Sequence, residues 1–203
     1  MSRSIIETRR VFFTWIFALI ILALLLLGDA FIRRDFPVTA SLMFLAGSVL
    51  VGLAVIGRLW CALHISGYKT YHLVATGPYS MSRNPLYFFS FLGVVGLGLA
   101  TGSLLVTLLM AAFFGLYYAP LIKEEQKRLL EMHGEPYQAY LSRTPAFWPR
   151  LSLLNEPEEY TVQPRIYRRS MGEAVWFIIF LGLFSVISSL HDQAILPNLF
   201  SIF

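Results

Sequence analysis

Between Pro85 and Ile122 the chain runs for 38 residues without an Asp, Glu, Lys or Arg. As one α-helix this stretch would measure about 57 Å, nearly twice the roughly 30 Å hydrocarbon thickness of a bilayer. It must therefore turn back on itself. Thr101-Gly102-Ser103 is the natural break, giving a tight helical hairpin with Gly93, Gly96 and Gly98 in its first arm. No strand precedes these glycines, so they read as helix-packing positions and not as a dinucleotide loop. Three further uncharged runs, Val11–Gly28, Phe36–Gly57 and Ala174–Leu190, are each long enough to cross a bilayer. Within the second, Ala46, Gly47, Ser48 and Gly52 would allow close helix contact. The expectation is an all-α integral membrane protein with about five transmembrane helices. Composition agrees: 57% of residues are hydrophobic and only 14% charged, where a soluble domain carries about 25% charged residues. The arginine pair Arg9-Arg10 ahead of the first run lacks a small-residue cleavage site behind it. It reads as the cytoplasmic flank of a first span, not as a removed signal.

Charge sets the direction. With the N-terminus inside, 14 of the 16 Lys and Arg residues fall on the cytoplasmic side and only Arg33 and Arg34 outside. The net charge of +4 is thus a positive-inside bias, not a nucleic-acid footprint. Two polar islands, residues 58–84 and 123–170, then share the cytoplasmic face and flank the hairpin. The expected organisation is two N-terminal spans over 1–57, a core over 58–150 with an interfacial segment, the hairpin and a cytoplasmic helix, and a connector with a last span over 151–203.

The islands hold the chemistry. Arg58, Trp60, Tyr68, Lys69, Tyr71 and His72 mix aromatic and basic residues, as a segment lying at the interface would. Arg83-Asn84-Pro85 reads as a helix start: Asn84 as cap, Pro85 at the first position, Arg83 at the membrane edge. The same site suits a carboxylate, with Arg83 as a bidentate partner. Glu124-Glu125 stand where a helix leaves the membrane and is stopped by Gly134. They can be a solvated face, or they can accept ribose hydroxyls and attract a cation. His64, His72, His133 and His191 have no metal-ligand spacing, and Cys61 is the sole cysteine. No metal site and no disulfide are expected.

His72-Leu73-Val74, Gly77-Pro78-Tyr79, Arg83-Asn84-Pro85-Leu86-Tyr87, Glu124-Glu125, Leu129, Gly134, Tyr137, Tyr140 and Pro149 form one ordered pattern. It resembles the isoprenylcysteine carboxyl methyltransferase and phospholipid methyltransferase superfamily of membrane enzymes over roughly residues 50–150. Asn84 stands where the eukaryotic carboxyl methyltransferases usually have His and the bacterial-type relatives often have Asn. The resemblance implies S-adenosylmethionine as methyl donor, in a pocket capped by the C-terminal segment. His72, Leu73, Val74, Gly77, Pro78, Tyr79, Asn84, Tyr87, Glu124 and Glu125 would bind the donor. Arg83, Glu125 and Arg150 would serve the reaction, Arg150 by orienting an anionic acceptor. The acceptor would be lipid-like or prenyl-like, enter from the bilayer, and carry a carboxylate or amine. An NADPH-dependent reductase of the sterol or steroid type shares the Arg-x-Pro-x-Tyr and late acidic layout. A non-enzymatic membrane protein with two plain interfacial loops is the other alternative.

Overall fold

A computed structural model describes residues 5–66, 72–159 and 161–202, with side chains from Phe12 onward. Readings that rest on Tyr68, Lys69 and Tyr71 lie outside the described residues. The chain forms α1 (Ile5–Leu27), β1 (Gly28–Ala30), α2 (Phe31–Asp35), α3 (Pro37–Ile65), α4 (Pro78–Met81), α5 (Pro85–Ala100), α6 (Leu104–His133), α7 (Glu135–Arg143), a 3-10 turn (Leu151–Leu153), α8 (Pro164–Asp192) and β2 (Phe200–Ile202). Helices α3, α6 and α8 are long and apolar enough to cross a membrane, and the apolar part of α1 and all of α5 are shorter. This is the expected all-α integral membrane protein.

The hairpin forms where the sequence breaks. Helix α5 ends at Ala100, Gly102 turns at φ +75°, and Ser103 caps α6 by accepting from the Val106 amide at 3.1 Å. Helix α6 then runs unbroken past Lys123 to Gly134, whose φ of +56° ends it. Helices α3 and α5 meet through glycine. A Cβ added at Gly96 would lie 2.6 Å from the Gly47 carbonyl oxygen, so the two backbones touch there directly. Gly52, by contrast, has open space around it and takes no part in this seam. The buried core gathers Ile21 and Leu25 of α1, Val51, Leu97, Val106, and Phe184 and Ile187 of α8.

Two expectations need refinement. Residues 58–65 do not start a separate segment but continue α3. Arg58 is held inside the bundle, donating to Ser90 Oγ of α5, lying 3.6 Å from Glu173 of α8, and sitting 5.7 Å over the Phe177 ring. A buried guanidinium with these partners lets the helix run on. Second, Asn84 occupies the N-cap position of α5 without a side-chain cap bond, because its side chain is turned to the Ala146 carbonyl. After α1, β1 pairs in parallel with β2, Gly28 opposite Phe200.

Candidate functional site

At the end of the bundle where α6 carries Glu125, α3, α5, α6 and α7 leave an open cleft of about 710 Å³, mouth included. It is lined by Ile65, by His72, Leu73 and Val74, by Tyr79, Arg83, Asn84, Leu86 and Tyr87, by Glu125, Gln126 and Leu129, and by Tyr137 and Tyr140. The two polar islands do meet, because the hairpin between them returns the chain to the same end.

A backbone brace fixes the first island. The Asn84 amide donates to Ala146 O at 2.7 Å and the Arg83 N–H to Pro145 O at 2.9 Å. Ser82 Oγ donates to Phe147 O at 2.9 Å, the Arg150 N–H to Met81 O at 3.0 Å, and Gly77 N–H to Asn155 O at 2.8 Å. Residues 145–155 thus strap the island from behind, and this is why Asn84 does not cap α5. Gly77 makes the turn at φ +57° and ψ −134°, a conformation that side-chain-bearing residues rarely adopt. A Cβ there would lie 2.6 Å from two ring carbons of buried His64. His64 Nε2 in turn lies 3.4 Å from Glu156, the residue that follows the strap.

Facing the island, Tyr87 donates to Glu125 Oε2 at 3.0 Å. The Tyr140 hydroxyl donates to Tyr79 O at 2.7 Å. Burial pushes the phenols of Tyr79, Tyr137 and Tyr140 above the ordinary tyrosine range. Neighbouring Tyr137 adds to the rise at Tyr140, while the Arg83 guanidinium lowers both Tyr137 and Tyr140. All three are therefore neutral donors at pH 7. The Arg83 Nε is buried and has no hydrogen-bond partner among the described residues. A buried guanidinium nitrogen without an acceptor is costly, and an anionic ligand would satisfy it. The cleft thus offers a cation, a carboxylate and several aromatic faces together.

Not every expected residue lines it. Gly77 and Pro78 are buried behind the wall and shape it. Glu124 is exposed and points away, since one helical step of about 100° separates it from Glu125. Arg150 is also exposed, and its amide serves the strap. Among the described residues none after Tyr140 lines the cleft; the backbone of residues 145–155 serves the brace behind it. Conversely, Ile65 and Gln126 line the cleft without having been singled out. Gln126 follows the acidic pair on the same helix, and only the rotational phase of α6 decides that it, and not Glu124, shares the cleft with Glu125. Among the described residues no group of three or more His, Cys, Asp or Glu is placed to hold a metal ion.

Apolar helices around a polar, aromatic cleft at one end define a multi-pass membrane protein. Residues 38–135, from the start of α3 to just past α6, match the model of the phospholipid methyltransferase family. The chain belongs to this family. It is 42% identical over 179 residues to the cobalt-zinc-cadmium resistance protein CzcN of Cupriavidus metallidurans, covering 87% of this chain and 80% of that one. It is 41% identical over 157 residues to the nickel-cobalt-cadmium resistance protein NccN of Alcaligenes xylosoxydans xylosoxydans, covering 77% of this chain and 71% of that one. No solved structure matches it.

Proposed function

We propose that the protein transfers a methyl group from S-adenosylmethionine to the carboxylate or amine head of a lipidic or prenyl-like acceptor, at the cytoplasmic face of a bacterial inner membrane. The observation that carries the reading is the unpartnered Arg83 Nε in the same cleft as the Tyr87–Glu125 pair. The fit is chemical. Arg83 suits the donor's α-carboxylate, Glu125 suits ribose hydroxyls or an ammonium, and the rings of Tyr79, Tyr87 and Tyr137 suit a sulfonium and an adenine. When bound, the donor supplies an electrophilic methyl carbon. The protein's part is alignment and exclusion of water. The strap holds Arg83 and Asn84 in place, and the Tyr140–Tyr79 bond fixes the opposite edge. A carboxylate acceptor needs no base; an amine acceptor must lose a proton, which Glu125 can take.

An apolar track supports a membrane-derived acceptor. Tyr87 contacts Tyr118 at 5.3 Å between ring centroids, Tyr118 stacks on Phe114 at 4.2 Å, and Phe114 meets Phe91 at 5.6 Å. These rings follow the hairpin from the cleft into the bilayer.

Calorimetric titration of the purified protein with S-adenosylmethionine tests the reading, with Arg83→Ala and Glu125→Ala expected to bind at least about tenfold more weakly, roughly 1.4 kcal/mol. Absence of binding by the parent protein overturns it, and binding of NADPH instead would favour a reductase. The relatives' names add an expectation for the cell. Deleting the gene raises sensitivity to cobalt and cadmium, and the Arg83→Ala form fails to restore resistance.

A further inference from the structure

At the end of the bundle opposite the cleft, α3 and α8 splay apart and leave a second groove of about 970 Å³, mouth included. Its floor is Ala100, Thr101 and Gly102, the turn of the hairpin. Ser41 on one wall and Ser185, Ser188 and Ser189 on the other give it hydroxyls. Pro37, Ala40 and Phe44 make its α3 wall apolar towards the middle of the bundle. Arg33 and Asp192 stand at its rim.

The rim is electrostatically incomplete in two opposite senses. Arg33 forms an ion pair with part-buried Asp29 and lies 3.6 Å from Asp192, through Nε. That distance is too long for a hydrogen bond, and the Arg33 Nε is buried without a hydrogen-bond partner among the described residues. It needs an acceptor oxygen. Asp192 is 61% exposed, and one guanidinium is divided between it and Asp29. The three charges sum to −1, so Asp192 is left short of a cation. The groove thus asks for an anionic oxygen and an ammonium a few ångströms apart. Ser41 and Ser189 already donate to the Pro37 and Ser185 carbonyls, which leaves the hydroxyls of Ser185 and Ser188 to donate to further oxygens, and the apolar α3 wall continues from there.

We propose that this groove binds the headgroup of a zwitterionic aminophospholipid from the leaflet at the Arg33 end. The phosphate meets Arg33 and the serine hydroxyls, the ammonium meets Asp192, and an acyl chain follows Phe44 down the α3–α8 seam. Uncharged or purely anionic lipids satisfy only one side of the rim. The site is remote from the methyl-donor cleft and independent of what that cleft does.

Cysteine labelling reads the groove locally, because the sole native cysteine, Cys61, is buried. Ser189→Cys places a thiol on the groove wall. The protein is reconstituted in nanodiscs of phosphatidylethanolamine or of phosphatidylglycerol, and the rate of modification by a water-soluble maleimide is measured. The expected result is roughly tenfold slower labelling in phosphatidylethanolamine. Adding Asp192→Asn removes that difference while S-adenosylmethionine titration is unchanged. Inorganic phosphate added in detergent gives no comparable protection. Equal rates in the two lipids, a lipid difference that survives Asp192→Asn, or full protection by inorganic phosphate alone would each overturn the proposal. So would protection that tracks dimer formation, which would make the occupant a second copy. If Asp192→Asn fails to fold, Ser41→Trp, which fills the groove from the other wall, must give lipid-independent labelling.

Discussion

Gly77→Ala tests whether the island is held as described. The substitution meets two obstacles of different origin. The backbone at φ +57° and ψ −134° costs an L-residue about 1–3 kcal/mol. The new methyl also falls 2.6 Å from ring carbons of His64, whose side chain is 2% exposed and has no room to retreat. Forcing a methyl into such packing costs a further ~1–3 kcal/mol. The sum is centred near 4 kcal/mol, which for a chain of 203 residues corresponds to a fall in Tm of roughly 8–16 °C. Thermal unfolding of the detergent-solubilised protein measures it, in a cycle with His64→Ala. Removing the ring relieves the overlap but not the backbone strain, so the double variant regains about half of the loss. A Gly77→Ala protein that melts within about 1 kcal/mol of the parent would refute the conformation. A cycle without coupling would refute the His64 contact.

Other outcomes follow from the same geometry. Tyr140→Phe leaves the Tyr79 carbonyl without its 2.7 Å donor; it destabilises by about 1–3 kcal/mol and weakens donor binding, measured by unfolding and calorimetry. Asn84→Asp replaces the amide donor to Ala146 O with a carboxylate facing a carbonyl oxygen, and loosens the strap, seen as faster proteolysis within 144–155. Gly96→Leu separates α3 from α5 at the Gly47 contact and prevents recovery of folded protein, whereas Gly52→Leu, in open space, leaves yield and Tm unchanged. The raised phenols of Tyr79, Tyr137 and Tyr140 set an alkaline limit. Their contribution is fully present below the unfolded tyrosine value of about 10. It is lost as pH rises from there through the folded values. Ultraviolet titration should show these three ionising only together with unfolding.

Much of this architecture is legible from charge alone. An uncharged run of 38 residues has to fold back, and the break falls at the Thr101-Gly102-Ser103 triplet. The basic residues bring two islands to one end, and there the cleft forms. What charge and periodicity hide is pairing between distant backbones. Asn84 looks like a cap because any Asn before a Pro does; only the position of Ala146 redirects its amide. Arg58 looks like the end of a span because a charge usually marks one. Inside the bundle, Ser90, Glu173 and Phe177 make it tolerable, and those partners lie far away in sequence. Glu124 and Glu125 are indistinguishable as letters. Which one faces the cleft depends on the phase of α6 where it leaves the membrane.

The parallel pairing of β1 with β2 has a consequence for biogenesis. Helix α1 enters the bilayer early, yet its far end is tied by Leu27 and Gly28–Ala30 to residues 199–202. His191, at the end of α8, also holds the Leu25 carbonyl at 2.8 Å. These contacts cannot form until α8 has crossed and its tail has been delivered to the same side. Until then α1 can insert but not dock, and the core around Ile21 and Leu25 stays open to lipid. Closing so distant a pair is the slow kind of contact. A fusion or truncation that obstructs the tail should therefore strand α1 as a loose helix, while leaving the hairpin and its cleft to assemble around α3.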